Sequence, residues 1–316
     1  MTNSLDLQMS NLYEDLLKNG IKKPITNQFY PDGTPAYRNS LIGGNIRITD
    51  SSLLFTTAKR VAPKSATNEL LSFVRDCAFD IKTLNSLGVH VWDNQHYKDG
   101  TIGKAYGYQY ANPYYVLKST VSQKTLNAIG SDSLNVQIET NDKYVHLNQF
   151  EYVIYSIIDN PYSTRIMTDI WNIKDLPDMI LEPCIFSSQW IVTGDKLNVI
   201  VKSRSSDSFL GLPFNLAQWS VIHHIIAKLT NYKVGIFEFQ FGDVHIYDHH
   251  RTQAQEFVDN VKNGLTYPAP TLLFDKDVTW SNIKYGENMK LMDYKYASKI
   301  PAELSNNLEE MKQKDN

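Results

Sequence analysis

The second half of the sequence contains four short motifs on which our prediction of the fold is centred. They read Pro183-Cys184, Arg204-Ser205-Ser206-Asp207, Leu210-Gly211-Leu212-Pro213-Phe214-Asn215 and Gly242-Asp243-Val244-His245-Ile246-Tyr247. Around them, apolar residues follow strand patterns near residues 166–170, 189–192, 197–202 and 234–241, and helical spacing from Leu216 to Leu229. This order predicts an α+β fold in which helices pack against a mixed sheet.

Upstream of these motifs, helical patterns alternate with loops. Residues 1–20 predict a helix that ends at Gly20, residues 53–57 have the composition of a strand, and residues 65–87 predict a second helix that begins near Glu69. Residues 112–147 are polar and lack a sustained period, so we expect a surface insertion in a single domain that spans residues 1–302. Residues 303–316 carry few apolar anchors and are expected to form a mobile tail.

The composition argues against several classes of protein. The 316 residues carry 31 Lys and Arg against 34 Asp and Glu, a formal net charge of −3, so the chain lacks the basic field of a nucleic-acid binder. No apolar run reaches the ~18 residues of a membrane helix and no secretory signal is recognisable, so we expect a cytoplasmic protein without a membrane partner. Cys77 and Cys184 form no CxxC pair, which argues against a disulfide framework and against a thiolate metal site.

Three residues in the motifs could carry chemistry together. Cys184 offers a nucleophilic thiol, Arg204 offers a cation that can hold a phosphate and lower a thiol pKa, and Asn215 offers a carboxamide that can read a base edge. Each also has a structural interpretation, because an isolated cysteine is usually a small buried hydrophobe and Asn215 could cap a helix. The residues alone leave both interpretations open.

Taken in order, the motifs resemble the thymidylate synthase family and its nucleotide hydroxymethylase relatives. The resemblance covers about residues 24–300, and two phrases look most like members from Bacillus phages, which would act in the host cytoplasm. These phrases are Asp32-Gly33-Thr34-Pro35-Ala36 and Asp99-Gly100-Thr101-Ile102-Gly103. Further matching motifs are Glu69-Leu70-Leu71, Val91-Trp92-Asp93, Tyr106-Gly107, Asn160-Pro161-Tyr162-Ser163-Thr164-Arg165 and Ile170-Trp171-Asn172. The resemblance implies that family's fold and a homodimer formed through its sheet.

The resemblance also implies a one-carbon transfer to carbon 5 of dUMP, with 5,10-methylenetetrahydrofolate as co-substrate and no metal. Cys184 would add to carbon 6 of the uracil ring, Glu69 would act through ordered water on oxygen 4, and Tyr106 would help remove the carbon 5 proton. Asn215 would select uracil, because one amide donor and one acceptor complement oxygen 4 and the N–H of nitrogen 3.

Binding residues follow from the same resemblance. Arg204 would bind the phosphate together with Arg165 of the partner subunit, and His245 and Tyr247 would bind the sugar hydroxyl. Further nucleotide contacts are implied for Ser205, Ser206 and Gln189, and folate contacts for Trp92, Asp207, Gly211 and Phe214, with Asp207 also counted among the catalytic residues. The chain departs from the family at Thr164 and Gly33, where relatives carry phosphate-binding arginines, and Arg38 or Arg60 could compensate.

The choice of product depends on access of water to the reacting ring. Relatives that make a methyl group close the site with a short apolar C-terminus and a second tryptophan, whereas this chain has Gln95 at that tryptophan position and a polar tail. These departures favour deoxyuridylate hydroxymethylation, which yields 5-hydroxymethyl-dUMP and tetrahydrofolate. Thymidylate synthesis, which yields dTMP and dihydrofolate, is the alternative. A catalytically dead nucleotide-binding homologue is a third hypothesis, which the presence of Cys184 disfavours.

Overall fold

The computed structural model describes residues 3–29, 35–130 and 144–302, which form eight α-helices and eleven strands. The helices are α1 Ser4–Asn19, α2 Pro63–Val74, α3 Ile81–Ser86, α4 Tyr106–Tyr110, α5 Gln123–Ile129, α6 Gln149–Asp159, α7 Gly211–Thr230 and α8 Arg251–Lys262. The strands are β1 Ile21–Phe29, β2 Pro35–Ile42, β3 Asn45–Ile48, β4 Tyr114–Leu117, β5 Tyr144–Leu147, β6 Met167–Asp169, β7 Ile185–Thr193, β8 Lys196–Asp207, β9 Lys233–Tyr247, β10 Thr271–Phe274 and β11 Met289–Met292.

A seven-stranded sheet carries the fold. Its strands lie in the order β1-β2-β9-β8-β7-β6, and β3 pairs with another part of β9. The pair β8 and β9 is parallel and the other pairs are antiparallel, so the sheet is mixed as predicted. Helix α7 makes the crossover that a parallel pair requires. The four strands predicted from the motif region are confirmed, with β7, β8 and β9 longer than the pattern suggested.

Helix α7 fills the centre of the core. Most of its residues are apolar, which is typical of a helix buried on nearly all sides, and Trp219 packs near Phe150 of α6. Phe150 also contacts Trp190 of β7 and stacks on Trp280. These rings join the sheet, both helices and the C-terminal part of the chain into one core.

The helix predicted over residues 65–87 is wrong in its extent. Helix α2 starts at Pro63 and ends at Val74, so Glu69 lies in its middle rather than at its start. A turn follows in which Cys77 adopts a left-handed φ of 52°. Asp80 then caps α3 by accepting a hydrogen bond from the Thr83 amide. This turn lies against α4, because a Cβ on Gly107 would stand 1.9 Å from the carbonyl oxygen of Ala78.

The strand expected over residues 53–57 is also wrong. This segment is a buried loop, and side chains rather than a neighbouring strand satisfy part of its main chain. The Leu54 amide donates to Ser220 Oγ at 3.0 Å, and the Thr57 amide donates to Asp6 Oδ1 at 2.9 Å. Its apolar composition reflects burial, which the sequence pattern does not distinguish from strand formation. The helix predicted over residues 1–20 is confirmed as α1, with Asn3 as its N-cap and Gly20 as its C-cap.

The segment 112–147 joins the rest of the fold through its described parts. Strands β4 and β5 pair antiparallel and leave Tyr114 and Tyr115 exposed, while Val145 and Ile129 lie buried in the core. Residues 131–143 and the expected tail 303–316 lie outside the described residues. Among the helices that are described, none is long and apolar enough to span a membrane.

Candidate active site

Cys184 lies immediately before β7. Here the motifs that contain Cys184 and Arg204 meet α4, which begins at Tyr106. The carbonyl of Cys184 accepts a hydrogen bond from the Arg204 amide at 2.9 Å, and its own amide donates to Tyr106 Oη at 2.9 Å. The Arg204 side chain turns back to donate from Nε to the carbonyl of Pro183 at 2.9 Å and from Nη2 to that of Glu182 at 2.8 Å. The guanidinium also lies 5.4 Å from the ring centre of Trp171. Arg204 therefore holds the loop that carries the thiol.

Opposing influences act on the thiol of Cys184. Burial raises its pKa above the ordinary value, and the nearby positive charge of Arg204 lowers it. Asp207 and Glu182 raise the pKa further, and a hydrogen bond with Tyr106 lowers it. The contribution of Arg204 has the sign expected from the sequence, but the net pKa of the thiol is raised because burial outweighs it.

Tyr106 is suited to donate a hydrogen bond next to this thiol. Burial, and to a smaller extent the electrostatic effect of Cys184, raises the pKa of the Tyr106 phenol well above its usual range, so the phenol keeps its proton. Because Tyr106 Oη already accepts the Cys184 amide, its hydrogen remains available to another acceptor. The ring stacks on Phe73 of α2 with centroids 5.2 Å apart, which fixes its position.

Glu69 is the centre of a buried hydrogen-bond chain. Its Oε1 accepts from Trp92 Nε1 at 2.7 Å, and its Oε2 accepts from Gln218 Nε2 at 2.6 Å. Gln218 Oε1 in turn accepts from Asn215 Nδ2 at 3.0 Å. Burial raises the pKa of Glu69 to about 7, although the two hydrogen bonds oppose the shift. The alternative of a solvated glutamate at a helix start is therefore excluded, and Trp92 is bound to the same carboxyl.

The start of α7 decides whether Asn215 caps a helix or lies within one. The helix begins at Gly211, so Asn215 lies inside it and does not cap it. Asp207 accepts the free amides there instead, with Oδ1 bound to the Phe209 amide at 3.1 Å and Oδ2 bound to the Gly211 amide at 3.3 Å. Gly211 lies close to this carboxylate, because a Cβ on it would stand 3.4 Å from the Cβ of Asp207. Phe214, one residue before Asn215, is partly buried against the core.

The register of the sheet brings the remaining motif residues alongside. In the parallel pair, Ser205 of β8 lies opposite Asp243 of β9, and Asp207 lies opposite His245. The ring centroids of His245 and Tyr247 are 5.2 Å apart. Ser206 is buried and donates its hydroxyl to Ser203 at 3.1 Å, so this side chain is already engaged. The side chains expected at the sugar therefore lie next to Asp207.

Asp243 organises the β2 and β9 end of this region and was missed by the sequence reasoning. Its Oδ1 lies 2.9 Å from His245 Nδ1, and its Oδ2 lies 2.9 Å from Lys23 Nζ and 3.9 Å from Arg38 Nη2. Burial alone would raise the pKa of Asp243, but the bond to His245 and the cations hold it far below its usual range. Arg38 pairs in register with Tyr247 and therefore lies beside Asp243. The sequence signal that could have identified Asp243 is its position two residues before His245 on the same strand, which places both side chains on one face of the sheet.

Gln218 was also missed, although it lies three residues after Asn215 on α7, which places both on one helix face. Arg165 and Gln189 lie elsewhere. Arg165 is exposed before β6, and Gln189 Nε2 donates to the carbonyl of Thr164 at 3.1 Å. Gln189 follows Cys184 by five residues, about 16 Å along an extended strand. Neither side chain joins the cluster around Cys184 within one subunit.

No group of three or more His, Cys, Asp or Glu side chains able to hold a metal ion occurs in the described part of the chain. Cys77 is the second thiol, and burial raises its pKa to about 12. Its Sγ accepts a hydrogen bond from Asn148 Nδ2 at 3.7 Å, so it is a packed residue in the turn after α2.

Comparisons with known proteins agree with the arrangement of these motifs. A family model described as thymidylate synthase matches residues 8–306. Thymidylate synthase 1 of Bacillus spizizenii and the thymidylate synthase of Bacillus phage phi3T are each 32% identical over 306 residues, which cover 95% of this chain and 98% of theirs. The solved structure of thermostable thymidylate synthase A from Bacillus subtilis is similar with a TM-score of 0.79 and 31% identity, over 95% of this chain and 99% of that one.

Proposed function

The chain belongs to the thymidylate synthase family of one-carbon transferases, and on that premise we propose that it methylates carbon 5 of dUMP. The products are dTMP and dihydrofolate, and the co-substrate is 5,10-methylenetetrahydrofolate. The single observation that carries this proposal is the contact of Cys184 with Arg204 and Tyr106. Methylation is preferred over hydroxymethylation because the relatives that match over almost the whole chain are named thymidylate synthases. We propose that the reaction occurs in the cytoplasm, because its two charged substrates do not cross membranes unaided.

Cys184 is the nucleophile of this reaction. Its thiolate adds to carbon 6 of the uracil ring, and the electron pair moves through carbon 5 onto oxygen 4, which makes carbon 5 able to attack the one-carbon donor. The positive charge of Arg204 favours the thiolate, and the same guanidinium binds the phosphate. Binding of dUMP therefore brings the substrate to the group that activates its nucleophile.

Glu69 and Tyr106 handle protons around the ring. A carboxyl with a pKa of about 7 can give up and take back a proton near neutral pH, which suits transfer through water to oxygen 4. Tyr106 Oη, which hydrogen-bonds the Cys184 amide, assists removal of the proton from carbon 5. The folate supplies the one-carbon unit and then the hydride that completes the methyl group.

The other motif residues bind the two substrates. His245 and Tyr247 hold the sugar hydroxyl, with His245 oriented by Asp243, and Ser205 and Ser206 support the phosphate end of the nucleotide. Trp92, Asp207, Gly211 and Phe214 form the folate side of the site. Asp207 also accepts from the amides of Phe209 and Gly211, so its position is fixed beside the start of α7.

We further propose a homodimer formed through the outer face of the sheet. Ile191, Ile200 and Ile236 alternate with buried residues on β7, β8 and β9, and each is only partly buried on the face that points away from α7. Covering such side chains with the same face of a second subunit removes apolar area from water. Arg165 is exposed and unused within its own subunit's site, so it is available to bind the phosphate in the partner's site.

Deoxyuridylate hydroxymethylation is the second candidate, and Gln95 is the observation that favours it. This side chain is polar but only 9% exposed, and the main-chain N–H of Gln95 donates to the carbonyl of Trp92 at 2.8 Å, which keeps the side-chain amide near that tryptophan. A buried amide next to the tryptophan expected at the folate can hold a water molecule near the reacting carbon. The proposal of methylation requires that this water does not reach carbon 5.

Product analysis separates the two candidates. Wild-type protein is incubated with dUMP and 5,10-methylenetetrahydrofolate, the absorbance of dihydrofolate is followed, and the nucleotide is identified by mass, with Cys184→Ala as the inactive control. We expect one dihydrofolate for each dTMP, because hydride transfer must oxidise the folate. Formation of tetrahydrofolate with a nucleotide heavier by one oxygen would show that the enzyme is a hydroxymethylase.

A further inference from the structure

The side-chain amide of Asn215 can read either pyrimidine base, depending on which way it is turned. Uracil presents an acceptor at oxygen 4 and a donor at nitrogen 3, whereas cytosine presents a donor at the amino group and an acceptor at nitrogen 3. Exchanging Oδ1 and Nδ2 of an asparagine by a half-turn converts a reader of the first pattern into a reader of the second. An asparagine alone therefore does not select uracil, and something must fix its orientation.

The buried chain of hydrogen bonds next to Asn215 has one direction. The indole of Trp92 can only donate, so Glu69 Oε1 is its acceptor, at 2.7 Å. In its ionised form, which prevails above its pKa of about 7, the Glu69 carboxyl offers only acceptors, so the amide nitrogen of Gln218 must face Glu69 Oε2, at 2.6 Å. The carbonyl oxygen of Gln218 then faces Asn215, whose Nδ2 donates to it at 3.0 Å.

We propose that Gln218 is a specificity-determining positioning residue, which locks the amide of Asn215 in the orientation that reads uracil. In this orientation one Nδ2 hydrogen is used by Gln218, and the second hydrogen and Oδ1 remain for oxygen 4 and nitrogen 3 of the base. The inference rests on the proposed function, in which Asn215 contacts the base edge, and it assigns uracil selection to a side chain that does not touch the base.

Burial makes the lock effective. Trp92, Glu69 and Gln218 are 6%, 9% and 4% exposed, so bulk water is not available to replace a lost hydrogen bond in the chain. Turning Asn215 over would bring its Oδ1 against the carbonyl oxygen of Gln218 and would leave both without a donor. An unmet pair of buried acceptors is costly, so the cytosine-reading orientation is disfavoured as long as Gln218 keeps its own orientation.

Dissociation constants for dUMP and dCMP, measured by calorimetry, test the lock without depending on turnover. In Gln218→Met the apolar side chain leaves Asn215 free to turn, and we expect the preference for dUMP over dCMP to fall at least about tenfold. In Glu69→Gln the introduced amide accepts from Trp92 and donates to Gln218, which reverses the whole chain. For this variant we expect the preference to fall at least as far and dCMP to bind more tightly than it binds wild type.

The control is Gln109→Met, which deletes another buried glutamine, one whose side chain donates to the carbonyl of Lys104 and to Asp175 and accepts from Asn112. We expect it to keep the wild-type preference, since a general loss of packing weakens both nucleotides alike. An unchanged preference in Gln218→Met and Glu69→Gln would overturn the lock while leaving the proposed function intact. Failure of wild-type protein to convert dUMP in the product assay would instead overturn the proposed function.

Discussion

At the scale of single residues, the reactivity of Cys184 depends on a balance between burial and the charge of Arg204. Burial raises the thiol pKa and Arg204 lowers it, so removal of the guanidinium should raise the pKa further. We predict that Arg204→Gln shifts the pH profile of Cys184 alkylation by iodoacetamide to higher pH and slows the reaction at any fixed pH below the thiol pKa. Peptide mass spectrometry after timed alkylation measures both quantities.

Cys77 in the same samples is the internal control for this measurement. Burial raises its pKa to about 12, with Glu151 and Asp76 adding to the shift, so its alkylation should stay slow in both proteins. An unchanged profile at Cys184 would show that Arg204 does not influence the thiol. Faster alkylation of Cys77 in the variant would indicate local unfolding instead.

The order of the motifs predicted that Cys184 and Arg204 lie together, although their roles stay predictions. Cys184 and Arg204 were paired from motif order, and the structure joins them through the main chain and places Tyr106 beside them. Gln218 and Asp243 were missed because their importance arises from what they hydrogen-bond across the fold. The net rise in the pKa of Cys184 could not be predicted either, since the depth of burial cannot be read from neighbours in sequence.

At the scale of secondary-structure elements, Asp6 connects α1 to a loop and to the C-terminal part of the chain. Its carboxylate accepts from the amide and the hydroxyl of Thr57, and the carbonyl of Thr57 accepts from the Ala297 amide at 2.8 Å. Thr57 Oγ1 in turn accepts from the Tyr267 amide at 2.8 Å. One buried carboxyl thus holds three separate segments together.

The titration of Asp6 gives a stability prediction with a definite sign. Burial raises its pKa from 3.8 to about 6, although the bonds to Thr57 oppose the shift. A raised folded-state pKa means that the contribution to stability is complete below about pH 4 and is lost as the pH rises through 6. Between these limits the wild type should lose up to about 3 kcal/mol relative to Asp6→Asn, as the two-unit shift implies.

Urea unfolding of both proteins at several pH values between 4 and 7 measures this difference. Asp15→Asn, an exposed carboxylate on the same helix, is the control and should follow the wild type at every pH. Parallel pH profiles for wild type and Asp6→Asn would mean that Asp6 does not titrate in this window.

The elements that the sequence misjudged share one physical cause. A buried apolar run such as residues 53–57 has strand composition, yet its amides bind Ser220 and Asp6 rather than a neighbouring strand. The continuous period over residues 65–87 hid a break at Cys77, where close approach of Gly107 to Ala78 matters more than local helix propensity. In both places contacts distant in sequence decide the backbone, whereas α1 and α7 carry their own start and stop signals.

At the scale of the whole molecule, the proposed dimer makes each active site depend on two chains. If Arg165 serves the partner's phosphate, Arg165→Ala and Cys184→Ala should each be nearly inactive, but a mixed dimer contains one site with an intact cysteine and an intact arginine. After random subunit exchange of equal amounts we predict recovery of about a quarter of wild-type activity, because half of the dimers are mixed and each has one working site of two. Turnover of the mixture and of each variant alone measures it.

Sedimentation velocity on the same samples checks the assembly itself, and differently tagged subunits check that exchange occurred. A monomer in solution, or exchange without recovered activity, would contradict the shared site. The mixed sheet, its four strands in the motif region and the long helix before β9 followed from the sequence pattern, whereas the strand order and the parallel pair are known only from the structure. The dimer rests on side chains such as Ile200, whose exposure only the folded chain defines.

The most direct test of the central claim is whether Cys184 forms a covalent bond with the base. Intact-mass analysis is made of the wild-type protein after incubation with 5-fluoro-dUMP and 5,10-methylenetetrahydrofolate. Fluorine at carbon 5 cannot leave as a proton does, so the reaction stops after the thiolate has added and the one-carbon unit has joined the ring. We predict a mass increase of one nucleotide plus one folate, located by peptide mapping at Cys184. No increase in mass, or an adduct at Cys77, would contradict the account.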